Sequence, residues 1–322
     1  MKITNDHDIN LLTTAWLLSD DYDYINEPNY YSVTSLMKPT KQVILARRID
    51  KKLETMDVSS MVASAMGSAV HNGIEHVWTG GAYKSALKRM GIPQETIDAI
   101  RVNPTEEEAS EPGIIPIYFE RRGFLKLGKF TLGGKFDVVA QGVLEDFKST
   151  STYSYMKGNK DGDYIRQLSS YRAIHSDVVT EDYGRINFIF TDWQGREAKS
   201  NPNYPAVRTL SKIFELEDPE FIKDWAFKRM TELDNLKDAE EDALPRCTDE
   251  QLWRSDPVYK FYLDPTKVFG GRATKNFTTF ADAQAFQTEK GGRGTIITVP
   301  GEVKACGYCP AFPVCKQKDE YL

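Results

Sequence analysis

Residues 133–151 read GGKFDVVAQGVLEDFKSTS, a stretch rich in strand formers that nevertheless carries acids and lysines. In an extended strand residues i and i+2 share a face, so Asp146 and Lys148 point one way while Glu145 and Phe147 point the other. Phe147 can then enter a core. Asp137 lies on the preceding strand, and the Ala140-Gln141-Gly142 turn is short enough to set it beside Asp146 in an antiparallel pair. Two facing carboxylates repel unless a cation sits between them. Magnesium suits such a place, being a hard ion that takes one or two carboxylates together with water and phosphate. The plain alternative is a cross-strand salt bridge among Asp137, Asp146 and Lys148. A bulge would shift the register and put Glu145 in place of Asp146.

Working outward, three neighbours tip the balance toward the ion. His71 stands in GSAVHNGIE, with Gly67 four residues before it and Glu75 four after, on a stripe beside the apolar positions Val62, Met66, Val70, Ile74 and Trp78 of a helix expected over Ser59–Trp78. There it can point into a cleft as a metal ligand or phosphate contact. Glu120, in YFERRG on an earlier strand, can reach the same ion. Gln167 and Tyr171, one helical turn apart in QLSSY, can act together on the backbone or base of a nucleic-acid strand.

The rest of the chain frames this centre. Its 322 residues exceed the usual single-domain length, and 27% charged residues with a mean hydropathy of −0.48 describe a globular protein without a membrane-spanning run. MKITNDHDIN lacks the apolar region of a secretory signal, so a reducing cytoplasm without disulfides is expected. A net charge of −6 gives no overall attraction to nucleic acid, but local basic clusters occur in KPTKQVILARRIDKK, KSALKRM and ERRGFLKLGKF. Each is equally well read as a solvated face.

A short helix is expected around Tyr83–Met90, then an acidic loop, NPTEEEASEPG, and a meander of strands from Ile114 to Ser149. Asp163 caps the next helix, and GRINFIFTDW is a strand, so strand, helix and strand imply a crossover and a mixed sheet. Residues 218–243 read as a charged helix. The expected fold is α/β: a central mixed sheet flanked by helices over residues 1–243, and a small α+β insert closed by four cysteines over residues 244–322.

Taken together, Gly67 and His71, Gly134 and Asp137, Asp146 and Lys148, and Gln167 and Tyr171 resemble the PD-(D/E)xK nuclease superfamily in its RecB-like exonuclease branch. That branch reads, in order, a helical G-x3-H, a G-x2-D strand, a (D/E)-x-K strand and a Q-x3-Y helix. The match covers about half the chain. The superfamily's proline is replaced by Phe136. The resemblance implies a restriction-endonuclease-like core, Mg or Mn held by His71, Asp137, Asp146 and the Phe147 carbonyl, and a catalytic Lys148.

Cys306, Cys309 and Cys315 form C-x2-C-x5-C, and Cys247 is the one other cysteine. Four thiolates complete a tetrahedral zinc site or an iron-sulfur cluster. The triplet resembles the C-terminal cysteines of the iron-sulfur nucleases of this branch, AddB and the CRISPR-associated exonucleases, which implies a 4Fe-4S cluster. In those a fourth ligand precedes the nuclease motifs; here no cysteine does, and Cys247 must stand in, a layout closer to bacteriophage nucleases. The expectation is a metal-dependent DNA exonuclease acting on ends or single strands in phage recombination, replication or DNA degradation, in the cytoplasm of a bacterial host if phage-encoded, with a helicase or recombinase as a conceivable partner. A catalytically silent DNA-binding or protein-interaction module on the same fold, for example one that interferes with CRISPR adaptation, and an RNA nuclease are the alternatives.

Overall fold

The computed structural model describes residues 2–19, 23–50 and 55–321. They form two compact units, one from residues up to 37 together with 50–232, the other from residues 38–49 together with 233–322. Both are mixed α and β.

In the first unit, besides a short parallel pair of Lys2–Thr4 with Thr55–Asp57, the strands are β1 (Tyr30–Ser32), β2 (Ile100–Val102), β3 (Ile115–Phe119), β4 (Arg122–Leu127), β5 (Phe130–Lys135), β6 (Val138–Ala140), β7 (Val143–Thr150), β8 (Tyr183–Phe190) and β9 (Thr209–Glu215). A six-stranded mixed sheet runs in the order β9-β8-β7-β6-β3-β2. The pair β7 and β8 is parallel, as the crossover through helix α2 (Asp161–Ile174) requires, whereas β6 and β7 are antiparallel about a tight turn at Gln141-Gly142, both with positive φ. The expected single meander is not what forms. β4 and β5 are a hairpin that leaves this sheet and joins β1 in a separate three-stranded one.

The chain turns between the two sheets at Glu120-Arg121 and again at Phe136-Asp137. Glu120 makes the first corner with φ +50, a left-handed conformation that side chains rarely adopt. Two backbone hydrogen bonds hold the corners together: Glu120 N–H donates to the Asp137 carbonyl at 3.0 Å, and Phe136 N–H to that of Arg121 at 3.3 Å. Two acids distant in sequence are thereby adjacent.

Helix α1 (Val62–Thr79) lies over one face of the mixed sheet, where Ile74 and Trp78 pack with Phe147, Val138, Ile117 and Phe119. Its first turns are less covered: Val62 and Met66 are exposed, and a 3-10 turn, Val58–Met61, occupies the start expected for the helix. Helix α2 meets the opposite face, since its Gln167 touches Asp146, the strand neighbour of Phe147. It begins at Asp161, with Lys160 rather than Asp163 at the cap position. The acidic loop contains a helical turn, Glu106–Ala109, closed by a Thr105/Glu108 capping box.

In the second unit β10 (Val258–Tyr262) lies between β11 (Lys275–Phe277) and β12 (Thr295–Val299), all antiparallel, with helix α3 (Phe280–Glu289) on one face. Phe286 of that helix meets Phe261 and Phe277 with ring centroids 5.3 Å away in each case.

Candidate metal centre

Alternation along β7 places the acids as expected. Asp146 is buried, with 2% of its surface exposed, and faces helix α2; Lys148, two residues on, lies with Nζ 2.6 Å from Asp146 Oδ2. Asp137 sits at the corner before β6, opposite Asp146 if the β6–β7 register is continued by one residue. Its Oδ2 accepts from Phe147 N–H at 2.9 Å and lies 3.2 Å from His71 Nδ1. The His71 ring stands edge-on to Phe147, with centroids 6.2 Å apart. Glu120 meets the ammonium of Lys135.

Among the described residues, His71, Glu120 and Asp137 are the one group of three donors whose ligand atoms all lie within 4.8 Å of one another. Two oxygens and a nitrogen suit a divalent ion. Asp146 stands beside this trio and supplies a further reason for one. Its Oδ1 accepts from Gln167 Nε2 at 3.1 Å, but its buried Oδ2 has no aligned hydrogen bond, despite the nearby lysine. Burial pushes its carboxyl up to about 6, and Lys148 opposes that rise. Burial likewise raises Glu120 against the pull of Lys135. The His71 imidazole is raised by its hydrogen bond to Asp137, against desolvation. An electron-rich, half-dry cluster of three carboxylates and an imidazole fits a bound cation.

Glu145, the alternative acid, has a different fate. Arg185 Nη1 and Asn187 Nδ2 of β8 each donate to it at 2.8 Å, so both its oxygens are engaged on the far face of the strand. Gln167 and Tyr171, expected at a bound strand, are turned inward instead, 9% and 6% exposed. Gln167 Nε2 also approaches Tyr171 Oη at 3.3 Å, and the Tyr171 ring covers Gly134, where an added Cβ would lie 2.8 Å from it. That contact explains why glycine precedes the Asp137 corner. Gly67 has more room: a Cβ there would meet Ser149 Oγ at an ordinary 3.6 Å. Phe136, the residue before Asp137, is fully buried against the ring of His175, centroids 4.7 Å apart. Lys135 was not singled out by sequence, although its place at the end of β5, before Asp137, was a usable signal.

Compared with known proteins, the chain matches no family model and no curated protein. Among solved structures it is similar to SSO0001, with 16% identity over 70% of this chain and 85% of that one at a TM-score of 0.42. It is also similar to a phage-related exonuclease from Haemophilus somnus 129PT, with 14% identity, 39% and 62% covered and a TM-score of 0.26. An alkaline exonuclease from Laribacter hongkongensis gives 14%, 36% and 58%, and 0.24. The chain thus spans under two thirds of either exonuclease, and likenesses this distant carry no argument about chemistry.

The four cysteines all belong to the second unit, free and half-buried. Burial, followed by the neighbouring cysteines, pushes the Cys247 thiol up to about 11, while Lys41 works in the opposite direction. Cys306 and Cys309 are raised by the same causes in the same order of burial first. The Cys247 backbone is clamped by buried Gln317, which accepts from its N–H and donates to its carbonyl, both at 3.0 Å.

Proposed function

We propose that this chain is a Mg- or Mn-dependent deoxyribonuclease, an exonuclease that hydrolyses DNA from ends or along single strands. The observation that carries the reading is the gathering of the His71, Glu120 and Asp137 donor atoms within 4.8 Å of one another, beside the buried Asp146 and its ion pair with Lys148. His71, Glu120, Asp137, Asp146 and the Phe147 carbonyl would hold the ion. A divalent ion held there would supply an acidified water and polarise the scissile phosphate.

The chain's own residues do the rest. Gln167, braced by Tyr171, fixes the Asp146 carboxylate, and Phe147 N–H fixes that of Asp137. Lys148 carries a charge next to the buried acid, placed to hold the attacking water and to meet negative charge that builds on the phosphate. Glu120, held in a strained backbone conformation, keeps a carboxylate where a relaxed strand would carry it away. Cys247, Cys306, Cys309 and Cys315 would hold a structural 4Fe-4S cluster in the second unit. The occasion, phage recombination, replication or DNA breakdown, follows from the resemblance alone.

The test is degradation of end-labelled linear and circular DNA, single and double stranded, with Mn or Mg, beside the Asp146→Ala variant. Metal-dependent loss of linear DNA that vanishes with Asp146 supports the reading; absence of cleavage on every substrate would replace it with a silent binding module, and preference for RNA with an RNA nuclease.

A further inference from the structure

The acidity of the chain is unevenly distributed. Residues 258–299 carry six Lys or Arg against three Asp or Glu, a net +3 inside a chain of net −6. This segment is the small α+β part of the second unit. Its strand pairing sets the charges at one end: Lys275 of β11 lies opposite Phe261 and Thr295 of β12 opposite Tyr262. The loops that lead into those two strands therefore both emerge where β10 finishes.

These loops repeat a phrase, Phe269-Gly270-Gly271-Arg272 and Lys290-Gly291-Gly292-Arg293. Each is tight at one glycine near its end, whereas an added Cβ on Gly270, Gly291 or Gly292 would meet nothing within 4 Å. A Cβ on Gly271 would lie 2.7 Å from the Lys267 carbonyl oxygen, and one on Gly294 2.5 Å from that of Tyr262. Other cations at this end have neighbours of their own, Lys275 lying over the rings of Phe277 and Phe286 at 5.0 and 4.8 Å. Lys290 pairs with Glu289 at 3.0 Å, and Lys267 acts on Asp264, whose carboxyl is lowered first by the Thr266 hydroxyl and backbone. Arg272 and Arg293 are exposed and, among the described residues, have no acid within 4.0 Å. Between them in kind stands Phe269, 93% exposed, more than any other large apolar side chain described.

We propose that this end of the small sheet binds single-stranded nucleic acid, with Arg272 and Arg293 on phosphates and Phe269 stacked on a base. Two unmatched guanidiniums on separate loops answer a repeating anion, and each can fork onto a phosphate. An exposed ring on the first of these basic loops, three residues before Arg272, is the stacking half of such a platform. A single strand offers free base faces; in a duplex they are already stacked. An acidic protein surface would satisfy the arginines but give the ring no partner. The proposal deepens the nuclease reading by naming a second contact for its substrate, yet it is measured without metal and without cleavage.

The experiment is fluorescence anisotropy of labelled oligothymidylate and oligouridylate of about 30 nucleotides, several site sizes long, with the full chain in EDTA over a range of salt. The Arg272→Glu/Arg293→Glu double variant should bind at least about tenfold more weakly, with a log–log salt slope reduced by about 1.4 for two lost phosphates. Phe269→Ala should lose about fivefold or more. Lys84→Glu/Lys88→Glu, an equal change of net charge on an exposed helix of the first unit, should cost less than the tip double variant. Wild-type affinity and slope in the tip variants, equal losses in both double variants, no strand binding by the wild type, or full competition by polyglutamate would each overturn the proposal. Its failure is separable from that of the nuclease reading. An Asp146→Ala chain that still cleaves refutes the centre and leaves the tip, whereas tip variants that bind normally beside a dead Asp146→Ala refute the tip alone.

Discussion

The carboxylates around Asp137 and the thiols around Cys309 are both clusters of like donors, but they are supported in opposite ways. Each acid has a named partner: Phe147 N–H and His71 for Asp137, Gln167 and Lys148 for Asp146, Lys135 for Glu120. The thiols are raised first by burial and then by one another, opposed by the Ala311 backbone hydrogen bond and Lys38 at Cys309, by Lys41 at Cys247 and by Lys318 at Cys306. A site with its own counter-charges can keep its shape without an ion. A site of thiols raised by burial, with no carboxylate-like set of paired charges, would gain its stability from whatever fills it.

That contrast can be broken by four measurements. If the proposed cluster is bound, Cys309→Ser should lower the thermal midpoint of the protein by about 10 °C or more and leave it without iron, because structural metal binding is folding energy. EDTA titration of the wild type should move the midpoint of the first unit far less; equal shifts would erase the distinction. Gly134→Ala comes next. Its Cβ would press on the Tyr171 ring, so a loss of about 2 kcal/mol in urea denaturation is expected, with weaker Mn binding as Gln167 and Asp146 shift.

Glu145→Gln should have a smaller effect, about 1 kcal/mol, through Arg185 and Asn187, and leave Mn affinity within about twofold. A collapse of Mn binding would make Glu145 a ligand after all. The weakest effect concerns His175, whose imidazole is lowered by burial. As pH falls below about 6.5, the unfolded chain takes up a proton there while the folded chain does not, so stability should decline with falling pH. His175→Gln should flatten that part of the profile of urea midpoints between neutral and mildly acidic pH. An unchanged slope would show that other groups cause the decline.

Much of this was legible in the sequence wherever a local period decides it. The i, i+2 rule put Asp146 and Lys148 together and Phe147 on the other face, and the helical stripe from Val62 to Trp78 marked the helix that brings His71. The corners were not legible. Nothing local to Glu120 announces φ +50, and it is this corner, with its counterpart at Phe136-Asp137, that sends β4 and β5 into another sheet and sets two acids side by side. Gln167 was found as a motif residue but misread in direction, because only the strand it packs on shows that it faces a buried carboxylate. The Thr105-x-x-Glu108 capping box, by contrast, was plain in the sequence and obscured by the acidity around it.

The most direct measurement is Mn titration followed by the electron paramagnetic resonance of the free ion, on the wild type and on Asp137→Asn and Asp146→Asn. The account predicts stoichiometric binding that each substitution weakens by at least about tenfold. Mn binding unchanged by both substitutions, or none in the wild type, would show that these carboxylates hold no metal and that the centre is the cross-strand ion pair it otherwise resembles.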